Sequence, residues 1–245
     1  FEYIHDSLLM QLASAKDVHV GEWQAISDGR AQEDTIELED VSLEYTFLPS
    51  DMEQLQWSVK PNLPWAEEHF QERVSGVPHN PPPSHVRWPF AQQSNSEHRE
   101  DERFSHTYPE RFWPAFAGGA SEAHKGIRYP YGDLGDLVQL LKSRRGTRQA
   151  YLPVWFPEDL AAAAVLQQRV PCTLGYHFLI RNGRLKIVYY IRSCDFFRHF
   201  RDDVYMAGRL AQWVAEKGGV TPGRLVMHIS SLHIFSAERS RITSE

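Results

Sequence analysis

The segment VPCTLGYHFLIRNGRLKIVYYIRSCD, residues 170–195, decides the fold of this chain. Residues 174–180 and residues 184–191 are rich in β-branched and aromatic side chains, which favour strands. The Asn182-Gly183 pair between them is the strongest short-range signal for a two-residue hairpin turn. The segment therefore predicts two antiparallel strands joined by a tight turn.

Helices and strands surround this hairpin without a regular order. Some stretches carry apolar residues at a helical spacing, and others alternate apolar and polar residues as strands do. The strand after residue 34 keeps its apolar residues buried only if a bulge or register break occurs near Glu39-Asp40. The mixture lacks βαβ alternation and indicates an α+β protein with a mixed or antiparallel sheet. The predicted elements are helices over residues 1–16, 50–58, 133–142 and 203–216 and strands over residues 35–47, 149–156 and 225–235.

One stretch, residues 77–111, interrupts this pattern. It is rich in proline, histidine, serine and charged residues, and its run of three prolines, residues 81–83, cannot continue a helix or a ladder. We interpret it as an insertion in a single domain that covers residues 1–245. No two of the five histidines in or near it have the i,i+4 spacing of a helical metal site, so we expect no metal.

The composition excludes several classes of protein. The 245 residues carry a formal net charge of −6, so the chain lacks the basic surface of a protein that binds a nucleic-acid polymer. No apolar run is long enough to span a bilayer, and the N-terminus has no signal-peptide pattern. The two cysteines, Cys172 and Cys194, are too few for a disulfide framework. We therefore expect a cytoplasmic protein that binds neither membranes nor nucleic-acid polymers.

Cys172 is the strongest candidate for covalent chemistry. An isolated cysteine before a strand is more often a small buried apolar residue than a nucleophile. If the guanidinium groups of Arg144, Arg145 and Arg192 gathered around it, they would lower the pKa of the thiol and create a reactive thiolate. Arg192 and the adjacent Ser193 would also suit a phosphate group, although an ion pair at a strand end is the simpler interpretation.

Four motifs occur in order along the chain. Ser-Arg-Arg lies at residues 143–145, Pro-Cys at residues 171–172, Arg-Ser-x-Asp at residues 192–195, and Ser-Leu-His-Ile-Phe at residues 231–235. This set resembles the thymidylate synthase family, with weaker similarity over most of the remaining chain. The resemblance implies a thymidylate synthase-like fold and a homodimer that pairs sheet to sheet.

The residue that selects the base in this family would be Asp203, eleven residues after Arg192. Thymidylate synthases have a Pro-Phe-Asn motif there, and the amide of its asparagine reads uracil. Phe-Arg-Asp-Asp at residues 200–203 instead resembles the deoxycytidylate hydroxymethylases of phages. A carboxylate can accept a hydrogen bond from the N4 amino group of cytosine, and from N3 when N3 is protonated.

The resemblance implies a folate-dependent reaction at C5 of a cytidylate, CMP or dCMP. Cys172 would attack C6, C5 would take up the methylene group of 5,10-methylenetetrahydrofolate, and water would add to give a 5-hydroxymethyl product. The implied ligand contacts follow the family pattern. The phosphate would be held by Arg192 and Ser193 of one subunit, by Arg144 and Arg145 of the other and by Arg30; the sugar would contact His233 and Phe235; and the folate would contact Asp195, Trp57 and Tyr131.

A departure from the family pattern on the second helix keeps alternatives open. Gln54 stands where the family has its general-base glutamate, three residues before Trp57, and the neighbouring Glu53 is rotated by about 100° around a helix. A hydroxymethylase that uses Glu53 is therefore weighed against a nucleotide-binding protein without catalytic activity. A cytidylate C5-methyltransferase, in which the folate also donates a hydride, is the third possibility.

A second departure concerns the sugar. Phe235 stands where the family has a tyrosine, so one hydrogen bond to the sugar, worth about 1 kcal/mol, is lost. This change slightly favours CMP over dCMP, as in the CMP hydroxymethylases of nucleoside-antibiotic pathways.

Overall fold

The computed structural model describes residues 1–19, 34–46, 48–89, 99–100, 103–114, 132–165 and 169–243. Within these residues seven strands form one mixed sheet in the order β1-β2-β9-β7-β6-β5, and β8 pairs with β9. The sheet and the helices around it confirm the α+β class. The strands are β1 (Asp17–Val18), β2 (Thr35–Tyr45), β5 (Tyr151–Pro153), β6 (Thr173–Arg181), β7 (Arg184–Ile191), β8 (Cys194–Asp195) and β9 (Thr221–Phe235), and a separate pair is formed by β3 (Arg99–Glu100) and β4 (Arg103–Phe104).

The predicted hairpin is confirmed. β6 and β7 pair in antiparallel fashion, and Asn182 and Gly183 between them have positive φ angles of 50° and 71°, as a type I′ turn requires. Beyond the hairpin, β7 runs parallel to β9. Because Thr173 pairs with Ile191, the residue before β6 and the residue after β7 meet at one end of the sheet.

The longest strands, β2 and β9, show the irregularity predicted near Asp40. Asp40 has a left-handed φ of 54°. The pairing nevertheless passes from Glu39 and Ser231 to Val41 and Ile229 without a register shift. The irregularity is therefore a left-handed residue in a continuous ladder and not a bulge. It allows apolar residues in both halves of β2 to face the core.

The helices pack against the sheet and against one another. Four of them match the predicted helices over residues 1–16, 50–58, 133–142 and 203–216. Among the described helices, none is long and apolar enough to cross a membrane. The helices are α1 (Glu2–Ser14), α2 (Met52–Val59), α3 (Trp65–Val74), α4 (Tyr108–Phe112), α5 (Leu134–Ser143), α6 (Pro157–Val165) and α7 (Phe200–Gly218).

Helix α3 is absent from the sequence-based prediction. Its buried stripe contains Trp65, Phe70 and Val74 at a helical spacing, but also His69 and Arg73. Two polar residues at positions that a core helix normally fills with apolar side chains conceal the period. The apolar pattern of α3 therefore does not predict that Arg73 and His69 are buried.

Helix α7 fixes the position of two aspartates. It ends at Gly219, which has a left-handed φ of 64° and caps the helix. Most of its residues are buried, and a Cβ added at Gly208 would lie 2.8 Å from the side chain of Leu55 in α2. This close packing holds α7, whose first turn carries Asp202 and Asp203, against α2.

The described parts of residues 77–111 pack against α3. They include a 3-10 turn over Pro83–Arg87, in which Oγ of Ser84 donates a hydrogen bond to Oε2 of Glu72 at 2.6 Å. Helix α4 begins in the same stretch, and its first residue, Tyr108, contacts the sheet beside the start of β6.

Candidate active site

Cys172 lies half-buried at the start of β6, next to Arg192. The backbone N–H of Arg192 donates to the carbonyl O of Cys172 at 2.9 Å. Its Nε donates to the carbonyl O of Pro171 at 2.9 Å, and its Nη2 donates to that of Val170 at 3.1 Å. The same Nη2 lies 3.9 Å from Sγ of Cys172. Arg192 therefore fixes the segment that carries the thiol while it places positive charge beside the sulfur.

Two opposing effects act on the thiol. Burial raises the pKa of Cys172, whereas the guanidinium groups of Arg192 and Arg169 lower it. Burial is the larger effect, so the thiol form predominates at neutral pH in this ligand-free state. The two arginines lower the free energy of the thiolate, but the thiol remains the more stable form.

Asp203 faces the same space from the first turn of α7. The hydroxyl of Tyr189 donates to its Oδ1 at 3.4 Å, and the thiol of Cys194 donates to its Oδ2 at 3.5 Å. Burial raises the pKa of Asp203 to about 7; Arg73 opposes this shift and the carboxylate of Asp202 adds to it. Asp203 therefore exchanges a proton near neutral pH, as an acid–base group must.

The neighbouring Asp202 has a different environment. Both of its oxygens accept hydrogen bonds from Asn62, one from the backbone N–H and one from Nδ2, each at 2.8 Å. Asp202 thus ties the segment before α3 to α7. The two hydrogen bonds that Asp203 accepts are longer, at 3.4 and 3.5 Å, so its carboxyl group is held less tightly than that of Asp202.

A chain of hydroxyl groups connects Asp203 to α4. Oη of Tyr108 and Oγ1 of Thr173 lie 3.0 Å apart, Oγ1 of Thr173 and Oη of Tyr189 lie 2.8 Å apart, and Tyr189 donates to Asp203. Thr173 directly follows Cys172 and is fully buried. Burial raises the pKa of both tyrosines, so their hydroxyl groups keep their protons.

Arg73 covers the other face of Tyr108. Its Cζ lies 3.9 Å from the centre of the Tyr108 ring, a cation–π contact. The side chain is 5% exposed, and its Nε has no hydrogen-bond partner among the described residues. Within the part of the chain that the structure describes, no carboxylate pairs with this guanidinium, which lies against the ring of Tyr108.

The paired strands β8 and β9 place Asp195 opposite His233. Oδ1 of Asp195 accepts the backbone N–H groups of Phe197 and Arg198, both at 3.0 Å, and its Oδ2 accepts Nη1 of Arg198 at 2.9 Å. The carboxylate of Asp195 is thus occupied by protein donors. Cζ of Arg198 lies 4.4 Å from the centre of the Phe235 ring, so that ring packs against a guanidinium.

Ser193 and His233 complete this side of the site. Ser193 lies half-buried between β7 and β8. His233 is 8% exposed, and burial lowers its pKa, so the ring is neutral at physiological pH. A neutral imidazole can either donate or accept a hydrogen bond to a sugar hydroxyl.

Arg144 and Arg145 lie at the other end of the sheet. Both are exposed after α5, and Nη2 of Arg145 is 3.4 Å from the carbonyl O of Gly218, to which it donates. Arg145 and Arg181 line a shallow groove at the hairpin turn. The nine residues of β6 separate this turn from Cys172 by roughly 27 Å. The paired arginines therefore do not reach the thiol of their own chain.

The other predicted site residues are placed as follows. Glu53 and Trp57 of α2 are exposed, and no described residue forms a hydrogen bond with the carboxylate of Glu53. The backbone N–H of Glu53 donates to the capping carboxylate of Asp51 at 2.6 Å. Arg30 and Tyr131 lie outside the described residues. The glutamate predicted as a catalytic base is thus not among the groups gathered around Cys172.

A comparison with known protein families finds a match over the part of the chain that carries these residues. The family model described as Thymidylate synthase matches residues 111–244, more than half of the chain and the part that contains Cys172, Asp203 and His233. This chain belongs to the thymidylate synthase family.

Curated thymidylate synthases are similar to this chain over part of their length. A thymidylate synthase of Rhizorhabdus wittichii is 27% identical over 126 residues, which cover 51% of this chain and 38% of the relative. A putative thymidylate synthase of Methanocaldococcus jannaschii is 30% identical over 115 residues, 44% of this chain and 52% of the relative. A bifunctional dihydrofolate reductase-thymidylate synthase of Paramecium tetraurelia is 30% identical over 101 residues, which cover 41% of this chain and 21% of the relative. The chain therefore spans about half or less of the length of these relatives.

Three residues of the candidate site were missed by the sequence analysis. Tyr108 follows Thr107, which forms a capping box with Glu110, and that Thr-x-x-Glu spacing is a signal for a helix start. Arg73 occupies a core position of α3, so its signal is a charged residue within a helical apolar pattern. Tyr189 has no such signal, because an aromatic residue in a strand is ordinarily a core residue.

Proposed function

We propose that this protein is a cytidylate 5-hydroxymethylase that transfers a one-carbon unit from 5,10-methylenetetrahydrofolate to C5 of CMP or dCMP, with CMP slightly favoured. Membership of the thymidylate synthase family supports folate-dependent transfer to a pyrimidine nucleotide. The observation that carries the choice of base is Asp203, a half-buried carboxyl group whose charge acts on Cys172. By the resemblance to the family, it occupies the position where thymidylate synthases have an asparagine.

Asp203 and N3 of cytosine can share one proton, which suits this residue to a cytosine base. The N4 amino group donates to one carboxylate oxygen, and the proton that Asp203 carries near neutral pH passes to N3. A protonated N3 withdraws electrons from C6 and favours attack by Sγ of Cys172. The C–S bond then forms at C6, and the electron pair of the C5–C6 double bond makes C5 the nucleophile.

The one-carbon unit is transferred from this adduct. C5 bonds to the methylene carbon of the folate, the proton on C5 leaves, and the C–N bond to tetrahydrofolate breaks to give an exocyclic methylene group. Water adds its oxygen to that methylene carbon, and departure of Cys172 restores the C5–C6 double bond. The product is a 5-hydroxymethyl cytidylate and tetrahydrofolate.

A homodimer would complete the phosphate site. Arg192 and Ser193 lie next to Cys172, whereas Arg144 and Arg145 lie roughly one strand length away in the same chain. That separation supports their contribution from a second subunit. Arg30 is proposed for the same phosphate from the family resemblance.

The remaining contacts are proposed for the sugar and the folate. His233 and Phe235 would contact the sugar, with Arg198 behind the Phe235 ring. Asp195, Trp57 and Tyr131 would contact the folate. Since hydrogen bonds from the protein already fill the carboxylate of Asp195, its role would be to hold the turn at Phe197 and Arg198 beneath the ligand.

The exposure of Glu53 favours a second candidate function, that of a nucleotide-binding protein without catalytic activity. In the hydroxymethylase, the activation of water is assigned to Glu53 from the resemblance to the family. A C5-methyltransferase would use the same adduct and differ only in hydride transfer from the folate.

One competition assay separates these functions. The protein is incubated with methylenetetrahydrofolate and equal CMP, dCMP and dUMP, and the nucleotide products are weighed by mass spectrometry, with Cys172→Ala as the inactive control. A gain of about 30 Da on a cytidylate supports the proposal, and whether CMP or dCMP gains that mass identifies the sugar. A gain of about 14 Da indicates the methyltransferase, and a product from dUMP alone refutes the assigned base. Nucleotide binding without any product supports the non-catalytic protein.

A further inference from the structure

Arg73 and Arg111 are the two buried arginines among the residues that the structure describes, and they differ in their partners. Arg111, which is 3% exposed, forms two hydrogen bonds with Asp159 at 3.0 and 2.7 Å. Arg73 is 5% exposed, yet no carboxylate among the described residues pairs with it. Removing a guanidinium from water is costly unless a negative charge compensates it. The face of the Tyr108 ring provides only part of that compensation.

The position of Arg73 suggests which anion it serves. The Tyr108 ring beneath it is linked through Thr173 and Tyr189 to Oδ1 of Asp203, by contacts of 3.0, 2.8 and 3.4 Å. Arg73 of α3 and Asp203 of α7 therefore lie at the two ends of one connected row of contacts. Burial raises the pKa of Asp202, the other carboxylate on that turn, and the charge of Arg73 also acts to lower it, but both oxygens of Asp202 already accept hydrogen bonds from Asn62 at 2.8 Å.

We propose that Arg73 is the counter-charge of Asp203: its guanidinium stabilises the carboxylate that remains when Asp203 gives its proton to the ligand. This makes Arg73 a positioning residue that acts on the base-reading group through space and not a group that contacts the reacting atoms. The inference rests on the proposed function for its biological meaning, but the charge coupling itself is a property of the ligand-free protein.

The balance of charges around Asp203 agrees with this role. Burial raises its pKa, and the positive charge of Arg73 is the largest influence in the opposite direction. Arg169 and Arg192 instead act on Cys172. Among the described residues, seven titratable or charged groups act on Asp203. They are Arg73 of α3, Asp202 of its own helix, Tyr189 of β7, Cys194 of β8, Cys172 before β6, Tyr176 of β6 and Tyr108 of α4.

The consequence for chemistry is specific. Proton transfer from Asp203 to N3 of a cytosine creates a buried carboxylate, and a fixed positive charge lowers the free energy of that state relative to the neutral acid. Without Arg73, Asp203 would keep its proton to higher pH. The base would then be activated less readily even though its contacts were intact.

The test measures the titration of Asp203 in the full-length, nucleotide-free protein. Carboxyl carbons are labelled with 13C in aspartate, the Asp203 signal is assigned by its loss in Asp203→Asn, and its shift is followed from pH 4 to pH 9. Arg73→Gln is expected to raise the titration midpoint by about one pH unit or more. Arg73→Lys, which keeps the charge, should stay closer to the original midpoint. Arg87→Gln removes an exposed guanidinium from the neighbouring 3-10 turn and should not move it.

Instability of the variant would also be informative. If Arg73→Gln is unfolded at pH 8, the proposal requires that it fold at pH 5.5, where Asp203 is neutral, or at pH 8 when combined with Asp203→Asn. Failure of both rescues would contradict the proposal. An unchanged midpoint in a folded Arg73→Gln protein would also overturn it, and weaker CMP binding in that protein would assign Arg73 to the ligand instead.

The same measurement is independent of the proposed reaction. A shifted midpoint with no product from any nucleotide would leave the charge coupling established and refute the hydroxymethylase. An unshifted midpoint with a hydroxymethylated product would do the reverse.

Discussion

The hydroxyl of Tyr189 donates a hydrogen bond to Oδ1 of Asp203 at 3.4 Å, across the space between β7 and α7. The same hydroxyl lies 2.8 Å from Oγ1 of Thr173, the residue after Cys172. Tyr189 thus joins the group proposed to read the base to the segment that carries the nucleophile. A change at Asp203 or at Cys172 can therefore affect the other through one buried side chain.

The substitution Tyr189→Phe should weaken discrimination between bases more than it weakens nucleotide binding. It removes one donor to Asp203 and costs about 1 kcal/mol of stability through the lost hydrogen bonds. The measurement is the ratio of CMP to UMP dissociation constants by calorimetry. Phe178→Leu, a core change in the neighbouring strand, controls for simple loosening of the sheet and should leave that ratio unchanged. An equal loss of affinity for both nucleotides in Tyr189→Phe would show that Tyr189 has only a packing role.

Asp203→Asn should move base preference towards a uridylate, because an amide cannot share a proton with N3 of cytosine as a carboxylic acid does. The change is checked by competition between CMP and UMP in the mass assay. Asp203→Glu retains the acid and should keep the preference for cytidylate, with reduced activity. Unchanged selectivity in Asp203→Asn would refute the role assigned to Asp203.

The same substitution should alter the pH dependence of stability. The folded-state pKa of Asp203 is about 7 and the ordinary value is 3.8, so the unfolded state loses this proton first as the pH rises. The free energy of unfolding therefore falls between pH 4 and pH 7 by an amount on the order of 3 kcal/mol that is due to this group. Chemical denaturation of Asp203→Asn should lack that part of the decrease. The same pH dependence of the free energy of unfolding in Asp203→Asn and in the unsubstituted protein would contradict this prediction. Glu53→Gln, which changes an exposed carboxylate, is the control.

Substitution of Arg192 should slow the chemistry of Cys172. Arg192→Met removes the positive charge beside Sγ and two hydrogen bonds to the segment before β6, which raises the pKa of the thiol further. Alkylation of Cys172 by iodoacetamide at pH 8 should fall by roughly tenfold, followed by mass spectrometry of the modified peptide. Arg224→Met, near the hairpin end of the sheet, should alkylate at the original rate. Equal rates in both variants would mean that Arg192 does not tune the thiol.

His69 should make the protein sensitive to acid. Burial holds its pKa at about 4 against an ordinary value of 6.5, so the folded protein resists protonation while the unfolded chain accepts it. The free energy of unfolding therefore falls as the pH drops from 6.5 to 4, by about 3 kcal/mol for this residue. His69→Phe preserves the ring that stacks on Trp65 and should show a shallower decline in stability over that range. An equally steep decline would assign the acid sensitivity to other groups.

Local pattern accounts for much of the fold. The hairpin at Asn182-Gly183 follows from a turn that only positive φ angles satisfy, and the helix over residues 203–216 follows from its apolar period and its glycine stop. Helix α3 escapes the same reasoning because His69 and Arg73 occupy its buried stripe. The irregularity at Asp40 was predicted, but its form depends on the backbone: a left-handed residue replaces the expected bulge.

The prediction that Asp203 reads the base comes from the resemblance to the family. The sequence by itself determined the hairpin, the α+β class and the proximity of Arg192 to Cys172 at one end of that hairpin. These features depend on short spacings or on the pairing of adjacent strands, which side-chain periodicity encodes directly. Only the tertiary structure decided that Tyr108 contacts Thr173 and that Glu53 is exposed. It also decided that the carboxylate of Asp195 accepts its hydrogen bonds from the protein. Those outcomes depend on how separate helices and strands pack together, and burial then sets the charge of Asp203 and leaves Arg73 without a carboxylate partner among the described residues.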